Sequence, residues 1–256
     1  MARRILNIKL SLKEEYRELS RNRMRCCKIF FFLLLIATIL SCKTSPENRA
    51  EVKYDAEEKK ILDLQKRLEE AAQTFIGKKV NSKVSVNNKD FSLDCIGTVA
   101  ALYYSIGYDI QKDSWNYSGN GVSRLYESLK DKGLLISDKT PEVGDIIFWD
   151  HTWDRNGDGI IGNDPLTHSG IVLKTEEDGT IHYLHANYYY GIVIEYMNLL
   201  RPDVYRDENG KTLNSPLFDG SNSRKHPPKW LAGDLWRDYG RILKPGEYLD
   251  YFRIEQ

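Results

Sequence analysis

Apolar and polar positions alternate with two periods along this chain. Residues 56–76, AEEKKILDLQKRLEEAAQTFI, put Ile61, Leu62, Leu64, Leu68, Ala72, Phe75 and Ile76 at helical spacing with charges between them. The pattern predicts a helix that packs on the domain and stops at Gly77. Residues 78–93 are polar and read as loop. Asp94 is placed to cap a second helix from Cys95 to about Ile106, ended by Gly107. Residues 122–132 read as another short helix. After Pro141 the period changes to that of strands: DIIFW (145–149), SGIVLK (169–174), TIHYLHAN (180–187) and GIVIEY (191–196), with EEDG (176–179) as a hairpin turn. Residues 198–238 are rich in Pro, Gly, Asn and Asp and read as an irregular excursion, and YGRIL (239–243) as a closing strand. Helices first and an antiparallel meander afterwards predict an α+β domain.

The strongest apolar run, IFFFLLLIATIL, covers residues 29–40. It is shorter than the roughly 20 residues that span a bilayer. Arg23, Arg25 and Lys28 precede it and Ser41-Cys42 follow it, so it suits the apolar core of a secretory signal. A small residue before Cys after such a run resembles a bacterial lipoprotein signal. The resemblance implies removal of residues 1–41, a lipid on the Cys42 sulfur, a polar tether over 42–55 and a place in the cell envelope. Met24 opens a compact signal of its own, which makes it a second candidate start.

Net charge is zero but unevenly spread. Nine Lys/Arg and three Asp/Glu fall in residues 1–28, so the other 28 basic and 34 acidic side chains leave the rest at −6. That argues against nucleic acid as the main partner, because phosphate binding needs clustered positive charge. The four cysteines are Cys26, Cys27, Cys42 and Cys95. On the lipoprotein resemblance the first two would leave with the signal and the third would take lipid, so the domain would keep one thiol and no internal disulfide. By itself Cys95 reads either as a small buried core residue, as free cysteines often are, or as a reactive thiol to flag in an oxidising compartment.

A helix N-terminus lowers a thiol pKa and offers amides to an oxyanion, and Cys95 follows the expected cap. A nucleophile needs a base, and the base an orienter. His168 begins one strand, with Gly170 leaving room beside it, and His185 lies in the next. A hairpin centred in the EEDG turn sets the two side by side. Asn187 shares the His185 face and is the alternative orienter. His182 points the other way, His151 lies in a loop, and His226 precedes two prolines.

The order Asp-Cys-x-Gly, Pro-x-x-Gly-Asp-x-x-Phe-Trp, Thr-His-x-Gly-Ile-Val, His-Ala resembles the NlpC-type cell-wall cysteine peptidases over residues 70–196. The resemblance implies a papain-like hydrolase domain over 56–256, with the nucleophile's helix on a small antiparallel sheet. Carried over, Cys95 is the nucleophile, His168 the general base and His185 its orienter. The implied substrates are peptidoglycan stem peptides, cleaved through an acyl-enzyme by a monomer. A related amidase or acyltransferase of the CHAP type, or a non-catalytic wall-binding lipoprotein, are the alternatives. Two positions depart from the pattern: Ile96 stands where Ser or Thr is usual, and VNSKVSVNNKD, before the Cys, holds no Tyr.

A separate stretch, DRNGDGIIGND (154–164), spaces Asp154, Asn156 and Asp158 at alternate positions before Gly159. This matches the start of a calcium loop, with the Ile160 carbonyl and Asp164 as further ligands, or else a turn-rich hairpin loop, since Asn-Gly and Asp-Gly form turns without a metal. Pro165 stands where the bidentate Glu is expected, and no helices flank the loop. A structural Ca²⁺ there would brace the start of the His168 strand.

Overall fold

Pro46 opens the first helix, α1 (Pro46–Gln73). Its fixed φ suits the first helical position, where the missing N–H costs nothing. The computed structural model describes residues 46–218 and 229–254, with backbone alone at 46–53 and 247. The chain divides into two compact units, Met1–Ala56 and Glu57–Gln256. Of the first, the described part is the opening of α1. Residues 46–55, expected as a tether, are thus helical; Glu, Arg, Ala and Lys are good helix formers. The apolar run at 29–40, Cys26, Cys27, Cys42 and His226 lie outside the described residues. Among the described residues no helix is long and apolar enough to cross a membrane.

In the second unit, Ile61, Leu64, Leu68, Ala72 and Phe75 are buried as their spacing predicts, while Leu62 and Ile76 stay exposed. The polar stretch after α1 is not simply loop. It contains a hairpin of β1 (Lys83–Val86) and β2 (Lys89–Ser92), paired antiparallel. Asn87 and Asn88 join the strands with φ of 47° and 64°. Two left-handed residues match the twist of a tight hairpin, and Asn adopts that region more readily than most. The strands are too short and polar for their alternation to stand out.

Helix α2 (Cys95–Ser105) follows at once, capped by Asp94, whose carboxylate accepts the Gly97 N–H at 2.7 Å. It packs on β1–β2 and on the main sheet. Gly97 is required there, because a Cβ would stand 1.9 Å from the Ser92 carbonyl oxygen. Ile96, the departure from the expected Ser or Thr, is buried and fills the space over Gly121, the first residue of α3 (Gly121–Asp131).

The main sheet has six antiparallel strands in the order β3-β8-β4-β5-β6-β7: β3 (Leu135–Ile136), β8 (Trp236–Gly240), β4 (Ile146–Trp149), β5 (His168–Thr175), β6 (Thr180–Asn187) and β7 (Gly191–Asn198). The expected closing strand is real but starts earlier, and Arg241–Leu243 leave it. Arg241 turns back to Asp145 instead, giving its Nε and Nη2 to the carboxylate at 3.0 and 2.7 Å. The architecture is mixed helix and antiparallel sheet, as expected for α+β.

Both faces of the sheet are covered. Ile146, Phe148, Ile171 and Leu184 join the core built by α1, α2 and α3. Ile147, Trp149, Val172, Tyr183 and Tyr239 form a second core with Ala232 and Leu235 of the short helix α4 (Ala232–Leu235). Leu199, Ala232 and Leu235 of the excursion therefore lie on the far face. Buried Asn214 fixes the excursion, accepting the Asn198 N–H at 2.7 Å and donating to the Arg201 and Val204 carbonyls. A last helix, α5 (Glu247–Tyr251), brings Phe252 into the first core.

Candidate active site

The first residue of α2 and the first residue of β5 meet at one cleft. Cys95, His168 and His185 all line it, together with Asp94, Asn187 and Glu195. The cleft measures about 900 Å³, within the usual range for binding sites. Thr152 and Trp153 form one part of its wall, Tyr188–Tyr190 another, and the excursion a third through Tyr205 and Ser215–Phe218. Trp230 and Trp236 are not part of that wall. Trp230 lies against Tyr205 and Trp236 against Tyr239.

The two histidines face each other by a register the sequence did not predict. His185 pairs with Gly170 rather than His168, and a bulge falls between Val172 and Lys174. The offset of two residues keeps the same faces, because side chains alternate with period two. His168 Nε2 then lies 2.9 Å from His185 Nδ1 across the diagonal, with the rings edge to face. Gly170 is where the strands come close: a Cβ would lie 3.0 Å from both the Leu184 carbonyl and the Trp149 ring. Trp149, opposite His168 in the ladder, backs its ring at 5.7 Å.

His185 is buried, and its other nitrogen, Nε2, lies 3.0 Å from Glu195 Oε2, close though not aligned as a full hydrogen bond. Glu195 sits on β7 opposite Tyr183. It is the residue sequence reading missed. Its signal was an acid inside the apolar strand GIVIEY, which is costly unless something holds it. Asn187, the alternative orienter, touches neither the thiol nor His168 in these bonds. Its Nδ2 donates to Glu195 Oε1 at 3.0 Å, and its Oδ1 accepts the Tyr189 and Tyr190 N–H groups. His182, on the other face, contacts Glu176.

The electrostatics of the thiol reverse one expectation. Burial, then the Asp94 carboxylate, pushes the Cys95 thiol up to about 11, although the Ile96 amide and Ser169 oppose the shift. The helix end does not outweigh lost hydration here, because desolvation disfavours the charged form. Burial, then His185, holds the His168 imidazole well below 6.5. Both groups are thus neutral at pH 7, and each is shifted by its own neighbours, Asp94 and Ser169 for the thiol and His185 for the imidazole. Ser169, next to His168, lies near the Cys95 sulfur from β5, although its buried hydroxyl makes no aligned hydrogen bond.

The loop between β4 and β5 sets where His168 begins. Thr152 donates its N–H and its hydroxyl to Thr167 Oγ1 at 2.9 and 2.8 Å. Leu166 N–H meets Asp150 at 2.7 Å. Within 154–164 the side chains bond to nearby backbone. Asp154 accepts the Gly157 and Gly159 N–H groups, Asn156 that of Asp158, Asp158 that of Ile160, and Asp164 those of Arg155 and Asn156. Among the described residues no group of three or more His, Cys, Asp or Glu is placed to hold a metal ion. This loop and the Cys95–His168–His185 cluster are separate sets of residues.

Comparison with family models, curated proteins and solved structures finds no match to this chain.

Proposed function

We propose that the chain is a papain-like cysteine hydrolase of the NlpC type, acting on peptidoglycan stem peptides. One observation supports it most: a thiol at the start of a capped helix lines the same cleft as a paired imidazole. His168 is the base. Its Nε2 faces His185, so Nδ1 is the nitrogen that would take the thiol proton as the two groups meet in the cleft. Since both groups rest neutral, His168 takes the thiol proton as sulfur attacks the amide carbonyl. The S–C bond forms, the C–N bond breaks, and the amine leaves with the proton from His168. Water then attacks the thioester, with His168 again as base, and releases the acid and the thiol. Amides at the α2 start stabilise the oxyanion.

The lipid on Cys42 and the envelope location belong to the same reading, as does a monomer. The same residues would serve an amidase or acyltransferase, which differ only in the bond attacked or the acceptor. Digesting purified muropeptides and weighing the products by mass spectrometry tests the activity and names the bond. Loss of turnover in Cys95→Ala, with the far-UV spectrum kept, is the expected result; equal turnover would overturn it. As a separate structural support we propose Ca²⁺ held by Asp154, Asn156, Asp158, Asp164 and the Ile160 carbonyl. An unchanged melting temperature with millimolar calcium or with EDTA would remove that part.

A further inference from the structure

We propose that Glu195 and Asn187 are positioning residues that fix the tautomers of His185 and His168, reading outward from the backbone of the Tyr189–Tyr190 turn. Its consequence for turnover rests on the hydrolase reading; the tautomers themselves do not.

The direction of each link follows from the one before it; three are hydrogen-bonded, and the link from Glu195 to His185 Nε2 is a close electrostatic contact without full hydrogen-bond alignment. Backbone amides only donate. The Tyr189 and Tyr190 N–H groups, at 3.0 and 3.2 Å, therefore require the Asn187 oxygen to face the turn. That leaves the Asn187 NH₂ toward Glu195, where it donates to Oε1 at 3.0 Å. The Tyr183 hydroxyl lies 3.5 Å from Oε2. Glu195 Oε2 is 3.0 Å from His185 Nε2. A bare ring nitrogen there would set its lone pair against a carboxylate, so Nε2 carries the hydrogen. A neutral imidazole has one N–H, so His185 Nδ1 is bare. It accepts from His168 Nε2 at 2.9 Å. His168 Nδ1 is then the bare nitrogen, the form a general base needs. With His185 protonated on Nε2, the other His168 tautomer would set bare His168 Nε2 against bare His185 Nδ1.

Glutamine at 195 should reverse the order. Asn187 still donates, so the Gln carbonyl would face Asn187 and its NH₂ would face His185. The NH₂ requires a bare His185 Nε2, which moves the hydrogen to Nδ1 and leaves His168 protonated on its own Nδ1. An amide replacing the orienting carboxylate of a catalytic imidazole is known to select the wrong tautomer in this way. Asn187→Asp in the same chain should restore the order, because the new carboxylate accepts from the Gln NH₂ and turns its carbonyl to His185.

The test is nitrogen-15 NMR of histidine-labelled protein at pH 8, with turnover measured in parallel. The wild type should show Nε2–H on both His168 and His185. Glu195→Gln should show Nδ1–H on both and lose about 100-fold or more in turnover. The Asn187→Asp/Glu195→Gln pair should recover the wild-type spectrum and much of the rate, which a merely structural role would not. Nδ1–H on His185 in the wild type overturns the proposal even if a variant fails to fold. So does an unchanged spectrum in folded Glu195→Gln. A wild type with the expected tautomers that cleaves no wall peptide would count against the hydrolase reading alone.

Discussion

His168 Nε2 lies 2.9 Å from His185 Nδ1, although the ladder pairs His185 with Gly170. The contact is a diagonal one, across a strand pair bulged between Val172 and Lys174. Gly170 allows it, since the backbone and the Trp149 ring already occupy the space a side chain would need. Gly170→Ala should therefore spread β5 from β6 and weaken the histidine pair. A loss of about 1–3 kcal/mol from chemical denaturation is expected, with a larger proportional loss of turnover.

The thiol should react slowly in the resting protein. Its pKa near 11 leaves a small thiolate fraction at neutral pH, and the thiolate is the nucleophile. Iodoacetamide should modify Cys95 more slowly at pH 7 than it modifies N-acetylcysteine, with the rate rising as pH approaches 11. Faster labelling than the free thiol would mean a preformed thiolate–imidazolium pair.

Acid should destabilise the fold through His168. Its folded pKa lies well below 6.5, so below pH 6.5 the unfolded chain binds a proton the folded chain refuses. Stability is therefore lost as pH falls from about 6.5 toward the folded value. His168→Gln should lose less melting temperature than wild type between pH 7.5 and 5. On the same ground the ascending limb of kcat/KM should lie below pH 6.5, because the neutral imidazole persists there.

Gly97→Ala tests the junction that presents the thiol. A methyl 1.9 Å from the Ser92 carbonyl meets backbone rather than a movable side chain. The start of α2 must shift, and Cys95 with it. Destabilisation of at least about 1–3 kcal/mol is expected, and a shift of about 1 Å in the sulfur would cost on the order of 100-fold in turnover. Thermal melts and muropeptide assays together would read both effects.

Asp145→Asn should be costly although Asp145 does not line the cleft. The buried Asp145 carboxylate accepts from Arg241 and from the Glu142 N–H. Removing one charge of a buried pair costs about 3–5 kcal/mol. That corresponds to on the order of 10 °C in Tm at this domain size. A shift within about 1 °C would show that the pair contributes little.

Local pattern determined much of this protein. Helical spacing placed the buried face of α1, the Asp94 cap placed the start of α2, and period-two runs placed β4 to β7. The candidate residues Cys95, His168 and His185 were legible because each stands at a strand or helix start or on a stated strand face. Alternation fixes faces, so it survived the two-residue change in register. Other features depend on contacts between segments far apart in the chain. The β1–β2 hairpin hid in a polar stretch, and α1 ran on through residues with no apolar stripe. The insertion of β8 between β3 and β4 and the cover that Leu199, Ala232 and Leu235 lay over the second face have no local signature. Glu195 reads as an acid in a strand until folding sets it beside His185. The thiol's pKa was decided the same way: the sequence supplied the helix end that lowers it, and only the packed structure supplied the burial that raises it further.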